Sequence, residues 1–361
     1  MANKSARLGD LATYINGYAF KPADWGDTGL PIIRIQDLTG NSYQLNRYDG
    51  EYPERIEVNN GDVLISWSAS LGVYVWQRGK ALLNQHIFKV VFDKLPVNKD
   101  YFVFAVEQKL AEMESKTHGA TMKHIVKKDF DGTTIPYPPI EKQAEIADHL
   151  RRITSLIDRQ TEQLFLLDQL VKSRFIELFG DPVRNSMGLP TEPMTTVCAI
   201  IDGDRGKNYP KQDEFSDTGY CLFLNAKNVT ATGFSFENRM FITKEKDNAL
   251  HNGKLERGDV VLTTRGTLGN LAFYDDSVPF ENVRINSGMV ILRMNKSVMT
   301  EVFFMEQFKL QLQSIKGKIA SGSAQPQLPI STMNKIRILL APMALQEQFA
   351  AFVEQTDKSK V

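Results

Sequence analysis

Side chains able to hydrogen-bond outward recur at matched places in the two halves of this 361-residue chain. Ser66, Ser68 and Ser70 punctuate "GDVLISWSASLG", residues 61–72, and Thr263, Thr264, Arg265 and Thr267 punctuate "GDVVLTTRGTLG", residues 258–269. Asn84, Gln85 and His86 are answered by Asn286 and Ser287. Lys116, Thr121, Lys123 and His124 are answered by Ser321, Ser323, Gln325 and Gln327. The stretch "DRGKNYPKQ" adds Arg205, Lys207, Asn208, Tyr209 and Lys211. These groups donate and accept, so the chemistry they suit is reading rather than bond making. In the major groove of a duplex, Arg suits guanine, Asn or Gln suits adenine, and Ser or Thr suits either. The basic and aromatic cluster suits phosphates or groove contacts. Positions that differ between the halves, Ser68 against Arg265 most clearly, are the better candidates for reading different bases. The plainer role for any one of them is to solvate a turn at a strand end.

Bond-making chemistry finds little footing. No G-x-x-x-x-G-K-[ST] phosphate loop occurs. "YPPI", residues 137–140, has Tyr137 and Ile140 where the Asn/Asp-Pro-Pro-aromatic signature of DNA amino-methyltransferases needs an amide or carboxylate and a stacking ring. "GTLG", residues 266–269, lacks the third glycine of a dinucleotide site. His118 and His124 stand six apart, which suits neither one helix face nor a compact metal site. Cys198 and Cys221 are too few for a disulfide framework and have no metal spacing, so they read as buried small hydrophobes. The expectation is a chain that is not an enzyme by itself and holds no metal or cofactor of its own.

Composition sets the frame. With 361 residues, 42% of them hydrophobic, the chain can form two or three ordinary domains. No apolar run approaches the ~20 residues of a membrane helix, and "MANKSARLGDLATYING" lacks the apolar core of a signal peptide, so a cytoplasmic location is expected. The 43 basic and 43 acidic residues balance. Affinity for a polyanion must therefore come from local patches or from partners.

The two polar clusters belong to a repeat. Gly61, Asp62, Val63, Leu71 and Gly72 match Gly258, Asp259, Val260, Leu268 and Gly269 at an offset of 197; Asn84 matches Asn286 at 202; Gly119, Pro139 and Gln143 match Gly322, Pro342 and Gln346 at 203. A slowly drifting offset means two homologous domains with loop insertions. Strand-length, β-rich segments "LPIIRIQDL", "DVLISWSA", "HIFKVVF" and "TTIPYP" recur as "CLFLNAKNV", "DVVLTT", "GMVILRM" and "KIRILLAP", with one helix per copy near 100–115 and 301–316. The Gly-Asp dipeptides read as turns that launch a strand.

Between the copies, residues 141–179 form a different segment. Positions 146, 150, 153, 157, 160, 164, 167, 171, 174 and 178 are apolar at eight of ten places, a heptad seam carried by Ile146, Leu150, Ile153, Ile157, Leu164, Leu167, Val171 and Leu178. Pro138-Pro139 precedes it and Gly180-Asp181-Pro182 stops it. Such a helix is on the order of 58 Å long, and its seam wants a partner helix. At the 203 offset Val361 falls opposite Asp158, so the counterpart of residues 159–180 is absent from the sequence and the distal helix is expected to be truncated.

The order of these parts, two divergent copies each closing on Pro-(Ile/Met)-x-x-Gln and a heptad helix ending in "LFGDPVRN", resembles the specificity subunit of type I restriction-modification systems across essentially the whole chain. The resemblance implies an α+β chain: two mixed, strand-rich target recognition domains linked by a long coiled-coil-type helix. Boundaries are expected at 1–140, 141–180, 181–343 and 344–361. It further implies a non-catalytic DNA-binding subunit that reads a bipartite, asymmetric target and docks methyltransferase (modification) subunits. Those subunits would bring S-adenosylmethionine and adenine methylation, and a restriction subunit would bring ATP and Mg. In the family pattern the distal helix lies antiparallel to the central one, so a truncated copy leaves open a second specificity chain as the seam's partner. The alternatives are a coiled-coil adaptor with no DNA role, an impaired subunit needing a second copy, and a degenerate enzyme.

Overall fold

A computed structural model describes residues 4–41, 46–116, 125–320 and 327–360. The chain divides into two units, Met1–Arg159 and Gln160–Val361.

In the first unit β1 (Thr13–Asn16), β2 (Leu30–Ile33), β3 (Val63–Ser66), β4 (Gly72–Val75), β5 (Ala81–Leu83) and β6 (Ile87–Val91) precede α1 (Lys99–Lys116). One antiparallel sheet has the order β1-β6-β3-β4, and β2 and β5 pair in parallel at the centre of a second sheet. Strand β3 is apolar up to its last residue, Ser66, because it is buried on both faces. Its side chains alternate: Val63 and Ile65 join the core under α1 with Phe102 and Val106, while Leu64 joins Ile32, Leu82 and Leu83. Gly61, at φ +90°, supplies the left-handed residue that turns the chain into β3, and the Asp62 carboxylate closes the turn on the Asn59 N–H at 2.9 Å.

The long helix α2 runs Ile140–Phe179, 40 residues and about 60 Å. Its stop is steric. Gly180 takes φ +74° and donates its N–H to the Ile176 carbonyl at 2.8 Å, and a Cβ there would lie 2.5 Å from Ser186 Oγ.

The second unit repeats the plan. Strands β7 (Cys198–Asp202), β8 (Cys221–Leu224), β9 (Asp259–Thr263), β10 (Leu271–Tyr274), β11 (Val283–Ile285) and β12 (Met289–Met294) lead to α3 (Glu301–Ala320) and α4 (Met343–Lys358). The sheet order β7-β12-β9-β10 and the parallel pair β8/β11 reproduce the first unit's arrangement. Val260 and Leu262 face one core and Val261 the other. Gly258, at φ +97°, and Asp259, which accepts the Glu256 N–H at 2.7 Å, repeat the launching turn.

The motif Pro-x-x-x-Gln proves to be a clamp. Gln143, fully buried, accepts from the Asn98 N–H at 2.9 Å and donates to the Pro138 carbonyl at 2.8 Å, joining the start of α2 to the start of α1. Gln346, equally buried, accepts from the Thr300 N–H at 2.9 Å and donates to the Val298 and Ala341 carbonyls at 3.0 and 2.8 Å, joining α4 to α3.

Two expectations need correction, the extent of two strands and the openness of the seam. The segments 30–38 and 221–229 are strands only in their first halves; Asp37 accepts the Arg34 N–H at 2.9 Å and Asn228 accepts the Asn225 N–H at 2.9 Å, and these side-chain caps turn the chain into a short helical turn. The division between the two units falls inside α2, and each end of the helix packs on its own unit. The seam is not open along its length. Ile146 packs against the first unit's core, and Leu150 is half-buried. In the second unit α4 lies antiparallel on α2. Phe349 meets the rings of Phe175 and Phe179 at 5.5 and 5.6 Å, the Arg174 guanidinium sits over Phe352, and Lys360 pairs with Asp168 at 2.8 Å. Val171 is thereby buried, Leu178 packs on the same core, and Leu167 is half-buried. Ile153, Ile157 and Leu164 stay exposed, as do Leu156, Phe165, Leu166 and Leu170, which lie off the seam. Both cysteines are buried, and burial pushes the Cys198 and Cys221 thiols up to about 12. Among the described residues no helix is long and apolar enough to cross a membrane.

Candidate nucleic-acid interface

Strand pairing gathers four connections at one edge of each unit. In the first unit Asn16 lies opposite Phe88 and Ser66 opposite Ile87, so the exits of β1 and β3 meet the entry of β6. The parallel pair β2/β5 sends both of its exits the same way, into residues 34–37 and 84–86. Gly17 approaches so closely that a Cβ would lie 2.0 Å from the Asn84 carbonyl oxygen. The second unit repeats this. Asp202 faces Val290, Thr263 faces Met289, and β8/β11 exit into residues 225–228 and 286–288. A Cβ on Gly203 would lie 2.2 Å from the Asn286 carbonyl oxygen. Chain leaving the segments 117–124 and 321–326 is tied to the same rims, with Ile125 N donating to Trp67 O at 3.0 Å and Leu328 N to Thr264 O at 3.1 Å.

Within the rims, several of the selected side chains hold the loops. Ser66 is fully buried and its hydroxyl donates to the Ser70 carbonyl. Thr263, also fully buried, donates to the Thr267 carbonyl at 2.5 Å and accepts the Asn270 N–H at 2.9 Å. Thr264 is buried and donates to the Gly288 carbonyl at 3.0 Å. These three are removed from the set a ligand can reach, because a hydroxyl ending a buried strand must find its partner inside the protein. Tyr209 also turns inward, its ring edge-on to Phe223 at 5.6 Å, and Asn208 donates to the Ala249 carbonyl at 3.0 Å. Asn84 and Asn286 cap their own turns, accepting from the N–H groups of Gln85 and Gly288 at 2.8 and 2.9 Å.

Others face outward. Ser70, Gln85, Arg205, Lys207, Lys211, Arg265, Thr267 and Gln327 are exposed, and Ser68, His86 and Ser287 are half-buried. His86 holds φ +71° with its ring against Trp67 at 5.0 Å. Arg205 bridges two rim loops through Asp202 Oδ1 at 3.2 Å and the Ser287 carbonyl at 3.3 Å. Arg265 and Lys207 make no side-chain hydrogen bond or ion pair among the described residues. Thr121, Lys123, His124, Ser321, Ser323 and Gln325 lie outside the described residues, as does the side chain of Lys116.

The second rim rests on an ionic foundation that the sequence did not disclose. Asp204 is buried, and while burial raises its carboxyl, the N–H groups of His251, Asn252 and Arg205 outweigh that and hold it below the usual range. Arg284, 5% exposed, pairs with Asp247, 1% exposed, at 2.5 Å and donates to the Asn252 and Leu250 carbonyls. These ties fix residues 247–254 beneath the Arg205 loop. The first rim combines the Arg34–Asp37 ion pair at 3.2 Å with aromatic contacts, Tyr18 on Phe20 at 5.0 Å and Phe20 on Tyr48 at 5.2 Å. Sequence reasoning also missed the capped turns 34–37 and 225–228, which carry the exposed Gln36 and Lys227. They correspond at an offset of 191, and no residue of 34–37 is identical to its counterpart in 225–228.

Each rim is thus a rigid cradle of outward donors and acceptors, and the second is the more basic. A family model described as "Type I restriction modification DNA specificity domain" matches residues 3–165 and again 195–361. The type I restriction enzyme EcoBI specificity subunit of Escherichia coli is 29% identical over 80% of this chain, which spans 64% of that protein's length. The MjaVIII specificity subunit of Methanocaldococcus jannaschii is 25% identical over 97% of this chain and 85% of its own length. A solved structure of a type I restriction-modification S subunit from M. genitalium superimposes with a TM-score of 0.59 at 15% identity, over 99% of this chain and 90% of that one, which supports the fold. Two copies of the domain account for most of the sequence, and the chain belongs to the type I restriction-modification DNA specificity family.

Proposed function

We propose that this chain is the DNA-reading subunit of a type I restriction-modification complex, each unit reading one half of a bipartite, asymmetric duplex target. The observation that carries the reading is the repeated four-connection rim: one backbone plan presenting different side chains, Ser68 and Gln85 in one copy and Arg265 and Arg205 in the other. Two similar cradles with unlike readers suit two unlike half-sites. Catalysis belongs to partners in this reading. Modification subunits supply S-adenosylmethionine chemistry, a restriction subunit supplies ATP- and Mg-dependent cleavage, and the complex works in the cytoplasm. The exposed apolar side chains of α2, Leu156, Phe165, Leu166 and Leu170 among them, are the surface we assign to methyltransferase subunits. With no net charge, the chain alone binds weakly at physiological salt, where partners supply further phosphate contacts, and more tightly at low salt. Selection from a randomised duplex library with the full chain at low salt tests this. The expected product is two short sequence blocks separated by a constant unread gap; a single block, or no enrichment, overturns it.

A further inference from the structure

We infer that Gln36 and Lys227 are matched specificity-determining positions, each reading a base edge from the tip of the same capped turn in its own unit. The inference rests on the DNA-reading role proposed above. Both turns leave the first strand of a parallel pair. Both are closed by the side chain three residues after the cap, Asp37 on the Arg34 N–H and Asn228 on the Asn225 N–H, each at 2.9 Å. A turn closed in this way holds its tip in one place, and the tip residue is exposed in both copies while the closing residue is buried.

The neighbours place each tip among the readers. In the second unit the Thr267 hydroxyl donates to the Ala226 carbonyl at 3.3 Å, Asn270 donates to the Val229 carbonyl at 2.9 Å, and a Cβ on Gly266 would lie 3.7 Å from Ala226 Cβ. The Lys227 turn is therefore pinned beside the loop that carries Arg265. Lys227 makes no side-chain hydrogen bond or ion pair among the described residues, which leaves its ammonium for a ligand. In the first unit Asn84 N donates to the Ile33 carbonyl at 3.1 Å and Arg78 donates to the Asp37 carbonyl at 3.1 Å, fixing the Gln36 turn beside the Asn84-Gln85 loop. With its amide oxygen toward Arg34, Gln36 accepts from the guanidinium at 3.0 and 3.1 Å, and the residue is exposed. Arg34 is itself held by Asp37 and lies over the Trp25 ring. Arg34 is a positioning residue here and Gln36 the reader.

The chemical difference sets the base. With its oxygen held by Arg34, the Gln36 amide offers donors only and suits a single acceptor such as a purine N7 or the thymine O4, whereas an ammonium suits the two acceptors of guanine. The test is the randomised-duplex selection run with the full chain and with the swaps Gln36→Lys and Lys227→Gln, with thermal unfolding as the control for folding. Gln36→Lys is expected to move one position of one block toward guanine. Lys227→Gln is expected to move one position of the other block away from guanine. Each change is about tenfold in relative selection, with the remaining positions unchanged. Unaltered blocks overturn the inference while leaving the reading role intact. Uniform weakening by Lys227→Gln, with the salt slope reduced by about one, also overturns it, because that is the signature of a phosphate contact. Failure of the unsubstituted chain to select two blocks overturns both, and is distinguishable because it precedes any substitution.

Discussion

The buried glutamine of each unit gives the most quantitative prediction. Gln346 makes three hydrogen bonds to backbone groups, and Gln143 makes two. At a net ~1 kcal/mol per bond, Gln346→Met is expected to destabilise the second unit by about 3 kcal/mol and Gln143→Met the first by about 2 kcal/mol. Methionine keeps the volume while leaving the backbone partners unsatisfied, so cavity formation does not confound the comparison. For domains of this size 1 kcal/mol moves the midpoint by about 2–4 °C, giving falls of roughly 6–12 °C and 4–8 °C in calorimetry. Each variant is expected to shift a different transition. Gln346→Glu adds a pH signature. The carboxylate would face the Val298 and Ala341 carbonyls, so burial and those carbonyls raise its folded pKa above the ordinary ~4.3. Stability relative to the native chain is then greatest below that ordinary value and falls as pH rises through the folded one. A Gln346→Met midpoint within 1 °C of the native protein, or a Gln346→Glu deficit that ignores pH, refutes the clamp.

Further outcomes follow from single contacts. Arg284→Met leaves buried Asp247 with Lys254, at 2.6 Å, as its remaining charged partner, and is expected to destabilise the second unit by about 2–3 kcal/mol, read by urea unfolding. Burial raises the Asp247 carboxyl, but Lys254 and Arg284 outweigh it and hold it below 3.8; the native pair's contribution is therefore complete above that value and lost as pH falls through the lower folded one, so Asp247→Asn should flatten acid unfolding in this window. Thr263→Val is expected to lower the second unit's midpoint by about 2–4 °C through one lost hydroxyl bridge, with the first block of a selected target unchanged. Leu156→Glu and Leu166→Glu, at 64% and 57% exposed positions, should alter stability by less than about 0.5 kcal/mol while abolishing co-elution with a methyltransferase subunit.

Much of the framework was legible because it is local. Gly61-Asp62 and Gly258-Asp259 announce a left-handed residue and a carboxylate closing its own turn, and Pro138-Pro139 and Gly180 bracket α2. The repeat was legible through the same residues, and so was the pairing of Gln143 with Gln346, although their clamping role needs atoms from α1 and α3. The rims were only half legible. Ser66 and Thr263 look like readers in a string of letters, yet strand pairing buries both hydroxyls. Gln36 and Lys227 look like ordinary surface residues until β2/β5 and β8/β11 pair in parallel and bring distant turns to one edge. The seam misled for a related reason: a heptad pattern does not say whether a domain core, α4 or another chain covers a given turn, and here Ile146 and Val171 meet cores while Ile153 and Leu164 meet solvent.

The central claim is that the two rims are the DNA-reading surfaces. Hydrogen exchange of the full chain, measured with and without a duplex it has selected, tests it most directly. Protection is expected at residues 17–18, 34–37, 67–71 and 84–86 and at their counterparts 203–208, 225–228, 264–269 and 286–288, with α1 and α3 unchanged. Protection confined to other surfaces, or to one unit alone, contradicts the account.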